Sequence, residues 1–319
     1  MPQGSAAARV AVILPCYNEE AAIGLTVAGF RAALPDSVIY VYDNNSHDGT
    51  AAAAAAAGAI VRHERMQGKG HVVRRMFADV EADVYVMADG DATYDAAAAP
   101  LMIARLIGEQ LDMVVGSRES EIDAAYRRGH RLGNRLLTGI LARIFGRSFS
   151  DILSGYRVFS RRFVKSFPTL SAGFEIETEI SVHALELRMP VAEIVTRYGA
   201  RPEGSTSKLS TYRDGWRILR TIMTLFRIER PVVYFGTVAA ALALLAVVLA
   251  IPLVVTYVQT GLVPRLPTAI LATGLVILAF LCLFTGLILD TVVRGRLEIR
   301  RLAYLGLAGP AGEQGWTTQ

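Results

Sequence analysis

Short apolar runs alternate with longer amphipathic segments in the N-terminal two thirds of the chain. The runs are rich in Val and Ile, and each is followed by a polar cluster, which is typical of buried strands. They are RVAVILPC, VIYVYD, AIVRHE and DVYVMAD. Between them, helical spacing predicts a helix over about residues 20–34, another in the tract AAAAAAAG and a third in KGHVVRRMFADV. Near-continuous apolar strands separated by helices predict an α/β, Rossmann-like domain with a mostly parallel sheet covered on both faces.

The pattern changes after Pro231, where two long segments carry no charged residue. Residues 232–258 and 268–289 each exceed the roughly 20 residues needed to cross about 30 Å of hydrocarbon. A hydrophobic content of 52% supports a membrane part. Buried helices of a large soluble core rarely run so far without a polar face. We therefore expect a two-helix transmembrane hairpin over 232–290.

Arginines cluster on the outer flanks of both spans, whereas the loop between the spans holds only Arg265. By the positive-inside rule, this distribution predicts a multi-pass protein of the inner membrane with the α/β domain and both termini in the cytoplasm. Residues 212–231 combine an apolar stripe with arginines, which is typical of a helix lying at a membrane interface. The net charge of +4 is thus attributed to anionic lipids, and no nucleic acid is expected. The predicted domains are residues 1–211, 212–231, 232–290 and a cytoplasmic tail over 291–319.

Polar clusters follow three of the predicted strands: PCYNEE, DNNSHDGT and ADGDATYD. In open parallel sheets, ligands bind beyond the carboxyl ends of the strands. Turns and helix caps use the same residue types, and Asp48 and Asp95 suit that role. The pair Asp89 and Asp91 is costly at the tip of a buried strand unless a positive charge neutralises it. Hard divalent cations prefer such carboxylate oxygens.

The motifs LPCYNEE, DNNSHDGT, GKG, ADGD, GSR, DILSGYR and GSTSKLSTYRDG, in that order, resemble glycosyltransferase family 2 with the GT-A fold. Within it, the chain is similar to the polyprenyl-phosphate glycosyltransferase group, which includes dolichyl-phosphate mannose synthase and bactoprenol glucosyltransferase. The resemblance spans roughly residues 10–230. It implies a metal-dependent hexosyltransferase that moves a sugar, with inversion, from a nucleotide-sugar to polyprenyl phosphate.

The resemblance also implies roles for individual residues. Asp89 and Asp91 match the DxD pair, which holds Mg²⁺ or Mn²⁺ against the donor diphosphate. Catalytic positions are implied for both and for Asp151 and Arg157, although a helix cap is an equal alternative for Asp151. The implied nucleotide-sugar site comprises Pro15, Tyr17, Asn18, Glu19, Asp43, Lys69, Asp89, Gly90 and Asp91. A flexible turn is the alternative for the GKG sequence around Lys69.

A lipid phosphate calls for cations, and arginine binds phosphate bidentately. The predicted lipid-phosphate site comprises Arg118, Arg131, Arg135, Arg201, Ser207 and Lys208. A phosphate monoester, with a second pKa near 6, is already a nucleophile at neutral pH, so no dedicated general base is required. The roles of Glu175 and Glu177 are left open.

The expected partners are a nucleotide-sugar, with UDP-sugars favoured over GDP-mannose, undecaprenyl or a related polyprenyl phosphate, and membrane lipids. Homo-oligomerisation as a tetramer is implied by the resemblance alone. A processive polysaccharide synthase is one alternative, although its Gln-x-x-Arg-Trp motif does not occur in the sequence. A non-catalytic, membrane-anchored nucleotide-sugar sensor or scaffold is another, and the intact Asp89 and Asp91 pair argues against it.

Overall fold

A computed structural model of the chain describes residues 8–119, 139, 149–169, 173, 175–202, 220, 223–224, 226–228 and 230–310. The chain divides into two compact units. The α/β unit comprises Met1–Gly215 and Arg300–Gln319, and the hairpin unit comprises Trp216–Ile299.

Seven strands and six helices form the described core of the α/β unit. The strands are β1 (Val10–Cys16), β2 (Val38–Asp43), β3 (Ile60–His63), β4 (Val84–Met87), β5 (Met113–Glu119), β6 (Arg157–Ser160) and β7 (Val191–Arg197). The helices are α1 (Glu20–Ala33), α2 (Thr50–Ala56), α3 (Lys69–Asp79), α4 (Ala99–Gly108), α5 (Arg161–Ser166) and α6 (Ile176–Glu186). The predicted strands and helices of the first ninety residues are all present.

The seven strands form one sheet in the order β3-β2-β1-β4-β6-β5-β7. Strands β1 to β4 pair in parallel, and β5 pairs in parallel with β7. Strand β6 is antiparallel to both of its neighbours, β4 and β5. All strands except β6 therefore run in one direction, which confirms the predicted α/β fold with a mostly parallel sheet.

Helix periodicity explains how the sheet is covered. Ile23, Val27 and Phe30 recur at helical spacing on α1, and all three are buried. They pack in the same core cluster as Val12 of β1 and Val86 of β4. Burying such aliphatic and aromatic side chains contributes roughly 1.5–3 kcal/mol each relative to leaving them in water.

The hairpin unit contains two long apolar helices, α7 (Pro231–Thr260) and the greater part of α8 (Leu266–Leu305). Both are long and apolar enough to cross a membrane, and only 11% and 17% of their most apolar windows are buried. The buried positions are small: Ala239 and Ala246 on α7, and Ala272, Ala279 and Gly286 on α8. These residues recur every seven positions, which places them on one seam of each helix. At Gly286, an added Cβ would lie 3.1 Å from the Cβ of Phe235, so glycine allows the helices to approach closely there.

Helix α8 continues well beyond residue 290, where the sequence predicted the end of the hairpin. Its last turns, from Arg300 onwards, belong to the α/β unit. Tyr304 donates a hydrogen bond of 2.7 Å to Asp112, and Arg300 donates one of 2.7 Å to Glu186. Most of the predicted interfacial helix over 212–231 lies outside the described residues, although Arg220 and 226–228 are helical.

Candidate active site

The functional side chains lie at one edge of the sheet. Strands β1, β2, β4, β5 and β7 run in the same direction, so the loops at their carboxyl ends meet there. Strand β6 is antiparallel, so the loop over 151–156 that precedes it reaches the same edge. The three polar clusters predicted from the sequence share this edge with DILSGYR and with the segment that follows β7. Ligand binding at this edge is the general behaviour of open α/β sheets.

Asp89 and Asp91 follow β4, and a cation from the chain neutralises each of them. Lys69, the first residue of α3, donates a short hydrogen bond to Asp89 Oδ1. Arg201 Nη2 lies 2.7 Å from Asp91 Oδ2. The positive charge that the acidic pair requires is therefore supplied, in this structure, by two basic side chains.

The loop around the acidic pair is held from both sides. Thr93 donates to Asp91 Oδ1 through its hydroxyl and its backbone N–H, at 2.5 and 3.2 Å. Gly199 donates its N–H to the carbonyl of Thr93 at 2.8 Å, which ties the loop to the chain that leaves β7. A Cβ at Gly90 would collide with the sulfur of Cys16, so only glycine fits between the two aspartates.

Burial shapes the electrostatics of the pair. Asp91 is almost fully buried, and burial followed by the negative charge of Asp89 raises its pKa. Burial lowers the pKa of Lys69, but Asp89 and Glu177 more than offset this effect, so that the pKa is raised overall and the ammonium stays charged. Together, these effects show that the carboxylates around Asp89 and Asp91 stabilise positive charge at this site.

A divalent metal fits the donor chemistry of this site. Two carboxylates lie one residue apart, and Mg²⁺ typically uses one or two carboxylates together with substrate phosphates. Among the residues that the structure describes, no cluster of three or more His, Cys, Asp or Glu side chains forms a complete metal cage. Among the described residues no further carboxylate, imidazole or thiolate completes the set, so phosphate oxygens and water suit the remaining positions of a metal at Asp89 and Asp91.

The end of β1 and the segment that follows it carry four of the predicted nucleotide residues, Pro15, Tyr17, Asn18 and Glu19. Pro15 lies within β1, opposite Tyr42 of β2. Tyr17 packs edge-on against His47. Asn18 has a φ of 51° and accepts a 2.8 Å hydrogen bond from the N–H of His47. These contacts join the ends of the neighbouring strands β1 and β2.

Glu19 and Asp43 are buried acids at the same strand ends. The Glu19 N–H donates to Thr50 Oγ1 at 2.8 Å, which fixes the start of α1 against α2. Asp43 Oδ2 accepts from the Ser46 N–H at 3.2 Å. Among the described residues, Asp43 Oδ1 is a buried oxygen with no hydrogen-bond partner. A buried acceptor of this kind is a place for a donor group of a ligand.

Arg118 and Asp151 form a bidentate ion pair with N–O distances of 2.6 and 2.8 Å. The guanidinium also lies over the ring of Tyr198, 5.5 Å from its centroid. Asp151 caps no described helix, so its alternative as a helix cap is not realised among the described residues. A phosphate that reaches Arg118 would meet a guanidinium already oriented by Asp151.

Arg157 is fully buried, which differs from the expectation of a group at the reaction centre. Its guanidinium donates to the carbonyls of Ser154, Ile152 and Glu177 and to the Ser181 hydroxyl, at 2.6 to 3.1 Å. Burial lowers its pKa to about 10. These contacts make Arg157 a positioning residue that ties the 151–156 loop to α6.

Four predicted phosphate ligands, Arg131, Arg135, Ser207 and Lys208, lie outside the described residues. Of the predicted acceptor cations, the structure describes Arg118 and Arg201. Arg201 contacts Asp91 of the acidic pair, and Arg118 lies at the same sheet edge at the end of β5.

Sequence reasoning left the role of Glu177 open and missed two further residues of the site, Tyr94 and Gly155. Glu177 lies on the buried face of α6 and pairs with Lys69 at 2.5 Å. Tyr94 accepts the Gly155 N–H at 2.9 Å, and burial, reinforced by Asp89, raises the pKa of its hydroxyl. Gly155 itself packs against Asp89. The available signal for Glu177 was an acid among apolar residues at the start of a helix, in GFEIETEI.

The sequence is similar to characterised and solved proteins over most of the α/β unit. The family model described as glycosyl transferase family 2 matches residues 11–167. Glycosyltransferase AglJ of Haloferax volcanii is 36% identical over 234 residues, covering 73% of this chain and 77% of its own length. A dolichyl-phosphate hexose transferase of the same organism is 26% identical over 222 residues, covering 69% of this chain and 95% of its own length.

The fold is shared with glucosyl-3-phosphoglycerate synthase of Mycobacterium tuberculosis, solved with Mn²⁺, UDP-glucose and phosphoglyceric acid. That structure matches with a TM-score of 0.56 at 22% identity, covering 68% of this chain and 79% of its own. At this identity the likeness establishes the fold alone. The family match, the identity and coverage of AglJ and the common GT-A fold together show that the chain is a transferase of glycosyltransferase family 2.

Proposed function

We propose that the protein is a membrane-bound, metal-dependent, inverting hexosyltransferase. It moves a hexose from a nucleotide-sugar, with UDP-sugars favoured, to a polyprenyl phosphate such as undecaprenyl phosphate. The products are a polyprenyl-phosphate sugar and a nucleoside diphosphate. Nucleotide-sugar transfer follows from the family, whereas the acceptor, the nucleotide and the metal are the proposal.

One observation carries the donor half of this proposal: Asp89 and Asp91 stand at the carboxyl end of β4, each neutralised by a cation of the chain. The buried, unpartnered oxygen of Asp43 lies at the neighbouring end of β2 and suits a ribose hydroxyl or a base N–H. A charged diphosphate and a polar nucleoside therefore have complementary groups along one sheet edge. The solved structural neighbour binds UDP-glucose with Mn²⁺, which supports the same class of donor.

The acceptor half rests on the two apolar helices. They begin at Pro231, far from the N-terminus, and most of their apolar surface is exposed, which does not suit a signal sequence or the core of a soluble protein. A membrane-resident enzyme has direct access to a lipid substrate. The dolichyl-phosphate hexose transferase relative supports a polyprenyl-phosphate acceptor.

The residues at the site suit a direct displacement. The lipid phosphate oxygen attacks the anomeric carbon as the bond from that carbon to the diphosphate oxygen breaks, so the configuration inverts. We assign Arg118, oriented by Asp151, to hold the attacking phosphate. We assign Arg201 to stabilise the negative charge that develops on the leaving diphosphate. The attacking phosphate is already deprotonated at neutral pH, so the chain need not supply a general base.

Asp89 and Asp91 are the residues that would hold the divalent metal. When bound, Mg²⁺ or Mn²⁺ would neutralise charge on the leaving nucleoside diphosphate. The chain's own contribution is to orient Asp91 through Thr93 and to keep Asp89 beside Lys69.

A transfer assay tests the proposal. Purified full-length protein is incubated with undecaprenyl phosphate and a panel of radiolabelled UDP- and GDP-sugars, with Mn²⁺ or Mg²⁺ and with EDTA. We expect one donor to yield a glycolipid, and EDTA or Asp91→Ala to reduce its formation by at least about 100-fold, because charge stabilisation of the leaving group is lost. Asp36→Ala, at an exposed loop position, is the matched control and retains full activity.

The proposal is wrong if folded wild-type protein transfers no sugar to undecaprenyl phosphate from any donor. A glycolipid that forms equally well in EDTA would overturn the metal dependence but not the acceptor. Elongation of a glycan without any lipid-linked monosaccharide would instead favour the processive synthase.

A further inference from the structure

We propose that Glu177 is a positioning residue of the metal site: it holds the ammonium group of Lys69 so that Asp89 remains available to a divalent cation. This inference rests on the proposed function, which places the metal at Asp89 and Asp91. It assigns a role to an acid that lies on a different element, α6, and outside the motifs that carry the family resemblance.

Three charged side chains form the arrangement. Lys69 Nζ contacts Asp89 Oδ1 on one side and Glu177 Oε1, at 2.5 Å, on the other. The side chains of Lys69 and Glu177 are only 9% and 6% exposed, whereas Asp89 is 30% exposed. A ligand arriving from solvent therefore reaches Asp89 and not the two groups behind it.

The backbone of Glu177 is anchored by two hydrogen bonds. Its carbonyl accepts hydrogen bonds from Arg157 at 3.1 Å and from the Ser181 hydroxyl at 2.9 Å. Arg157 in turn holds the carbonyls of Ile152 and Ser154. The same loop places Gly155 against Asp89. The carboxylates on both sides of Lys69 are thus positioned by one connected set of contacts.

The charge balance explains what Glu177 contributes. Asp89 with Lys69 alone is a neutral pair, and a metal that binds Asp89 must compete with the ammonium. Removing one partner from a buried ion pair is strongly unfavourable because the other charge is left uncompensated. When Asp89 binds the metal, Glu177 remains as the ion-pair partner of Lys69. The free-energy cost of separating Asp89 from the ammonium is therefore smaller. It also adds a negative charge near the site, which favours a divalent cation.

The experiment measures Mn²⁺ binding to the full-length protein, by the electron paramagnetic resonance signal of free Mn²⁺, alone and with UDP or GDP. For Glu177→Gln we expect roughly tenfold weaker Mn²⁺ binding, within the usual range for residues that support metal ligands. Glu177→Asp, which keeps the charge on a shorter side chain, recovers part of the loss. Glu109→Gln, on an exposed surface of the same unit, is the matched control and binds as the wild type does.

The double variant Lys69→Met/Glu177→Gln distinguishes positioning from general structural support. With the ammonium removed, no cation competes for Asp89, and we expect Mn²⁺ affinity to return to within about threefold of the wild type, the reverse of the loss in the single variant. Circular dichroism melting establishes that each variant is folded.

Three results would overturn the inference. A folded Glu177→Gln variant that binds Mn²⁺ as tightly as wild type shows that Glu177 does not influence the metal. A double variant that binds still more weakly than Glu177→Gln shows that Lys69 supports the metal rather than competing with it. Wild-type protein that binds no Mn²⁺ with either nucleotide overturns the metal site itself, and the proposed metal dependence with it.

Discussion

Two glycines, Gly90 and Gly155, allow the close packing around Asp89. A Cβ added at Gly155 would lie 2.7 Å from Asp89 Oδ2, and one added at Gly90 would collide with Cys16. Both glycines have ordinary negative φ, so the need for glycine is steric and not conformational. The position of the first aspartate of the pair thus depends on the loop before β6 as well as on its own strand.

We therefore expect Gly155→Ala to lower sugar transfer by roughly tenfold or more, since displacing a reacting group by about 1 Å can cost about 100-fold. The new methyl group would push Asp89 from Lys69 and from the metal. Initial rates measured against Mn²⁺ concentration test this expectation, and a higher Mn²⁺ requirement is the specific sign. Gly108→Ala, where the added methyl meets no atom within 4 Å, is the control. Equal rates for the two variants would show that Asp89 is not constrained by Gly155.

At the scale of elements, local sequence predicts some features and not others. Helix α1 and strand β2 follow from apolar spacing that depends only on neighbours along the chain. The antiparallel direction of β6 does not follow from local sequence, because a short apolar strand has the same residue pattern whichever way it runs. The ion pairs of the site are equally non-local: Lys69 and Glu177 are far apart in sequence, and their contact exists only once α3 and α6 pack at one sheet edge.

Arg157 shows that a motif gives the position of a residue in the sequence but not the surroundings of its side chain. The resemblance implied a catalytic position for it, whereas fully buried arginines are rare. Here the loop over 151–156 offers carbonyl oxygens that need donors, and a guanidinium satisfies several at once. The arginine can be identified in the sequence, whereas the loop conformation that surrounds its side chain cannot be predicted from it.

Helix α6 packs against α5 through a buried histidine whose protonation opposes folding. His183 lies edge-on between the rings of Phe163 and Phe167. Burial, reinforced by the positive charge of Arg300, lowers its pKa to about 3. Above its unfolded pKa of about 6.5, His183 is neutral in both states and contributes no pH dependence. Below that value the unfolded state gains a proton that the folded state excludes, so this residue destabilises the fold as the pH falls from about 6.5 towards 3.

We expect His183→Leu to remove this contribution. Relative to wild type, the free energy of unfolding of the variant falls less steeply below pH 6.5, by up to about 1.4 kcal/mol per pH unit. Urea unfolding of both proteins at pH 7.5, 6.5 and 5.5 measures the difference, and the other acids that titrate there cancel in the comparison. Ile180→Leu, a buried replacement on the same helix that removes no titratable group, is the control and keeps the wild-type slope. Parallel pH profiles for wild type and His183→Leu would contradict the assignment.

At the scale of the whole molecule, the end of α8 bears on membrane topology. Arg300 and Tyr304 belong to the α/β unit, where they bond Glu186 and Asp112. Asp112 is fully buried and also receives two hydrogen bonds from Arg162, at 2.5 and 2.9 Å. A segment held by such contacts must lie on the same side of any membrane as the α/β unit. If α7 and α8 both crossed a membrane, the chain would return to that side, which agrees with the arginine-rich outer flanks.

We expect a fluorescent protein fused after residue 319 to fluoresce inside a bacterial host, and alkaline phosphatase fused there to be inactive. Alkaline phosphatase inserted beside Arg265, in the loop between α7 and α8, should instead be active, because that loop lies on the far side. The physical reason is that a hairpin of two spans places both of its ends on one side, while the contacts of Arg300 and Tyr304 fix which domain shares that side. Fusions truncated after residue 262 provide the matched control, since with a single span the phosphatase is exported and active. Active phosphatase on the full-length C-terminus would contradict both the membrane hairpin and the sidedness inferred from its arginines.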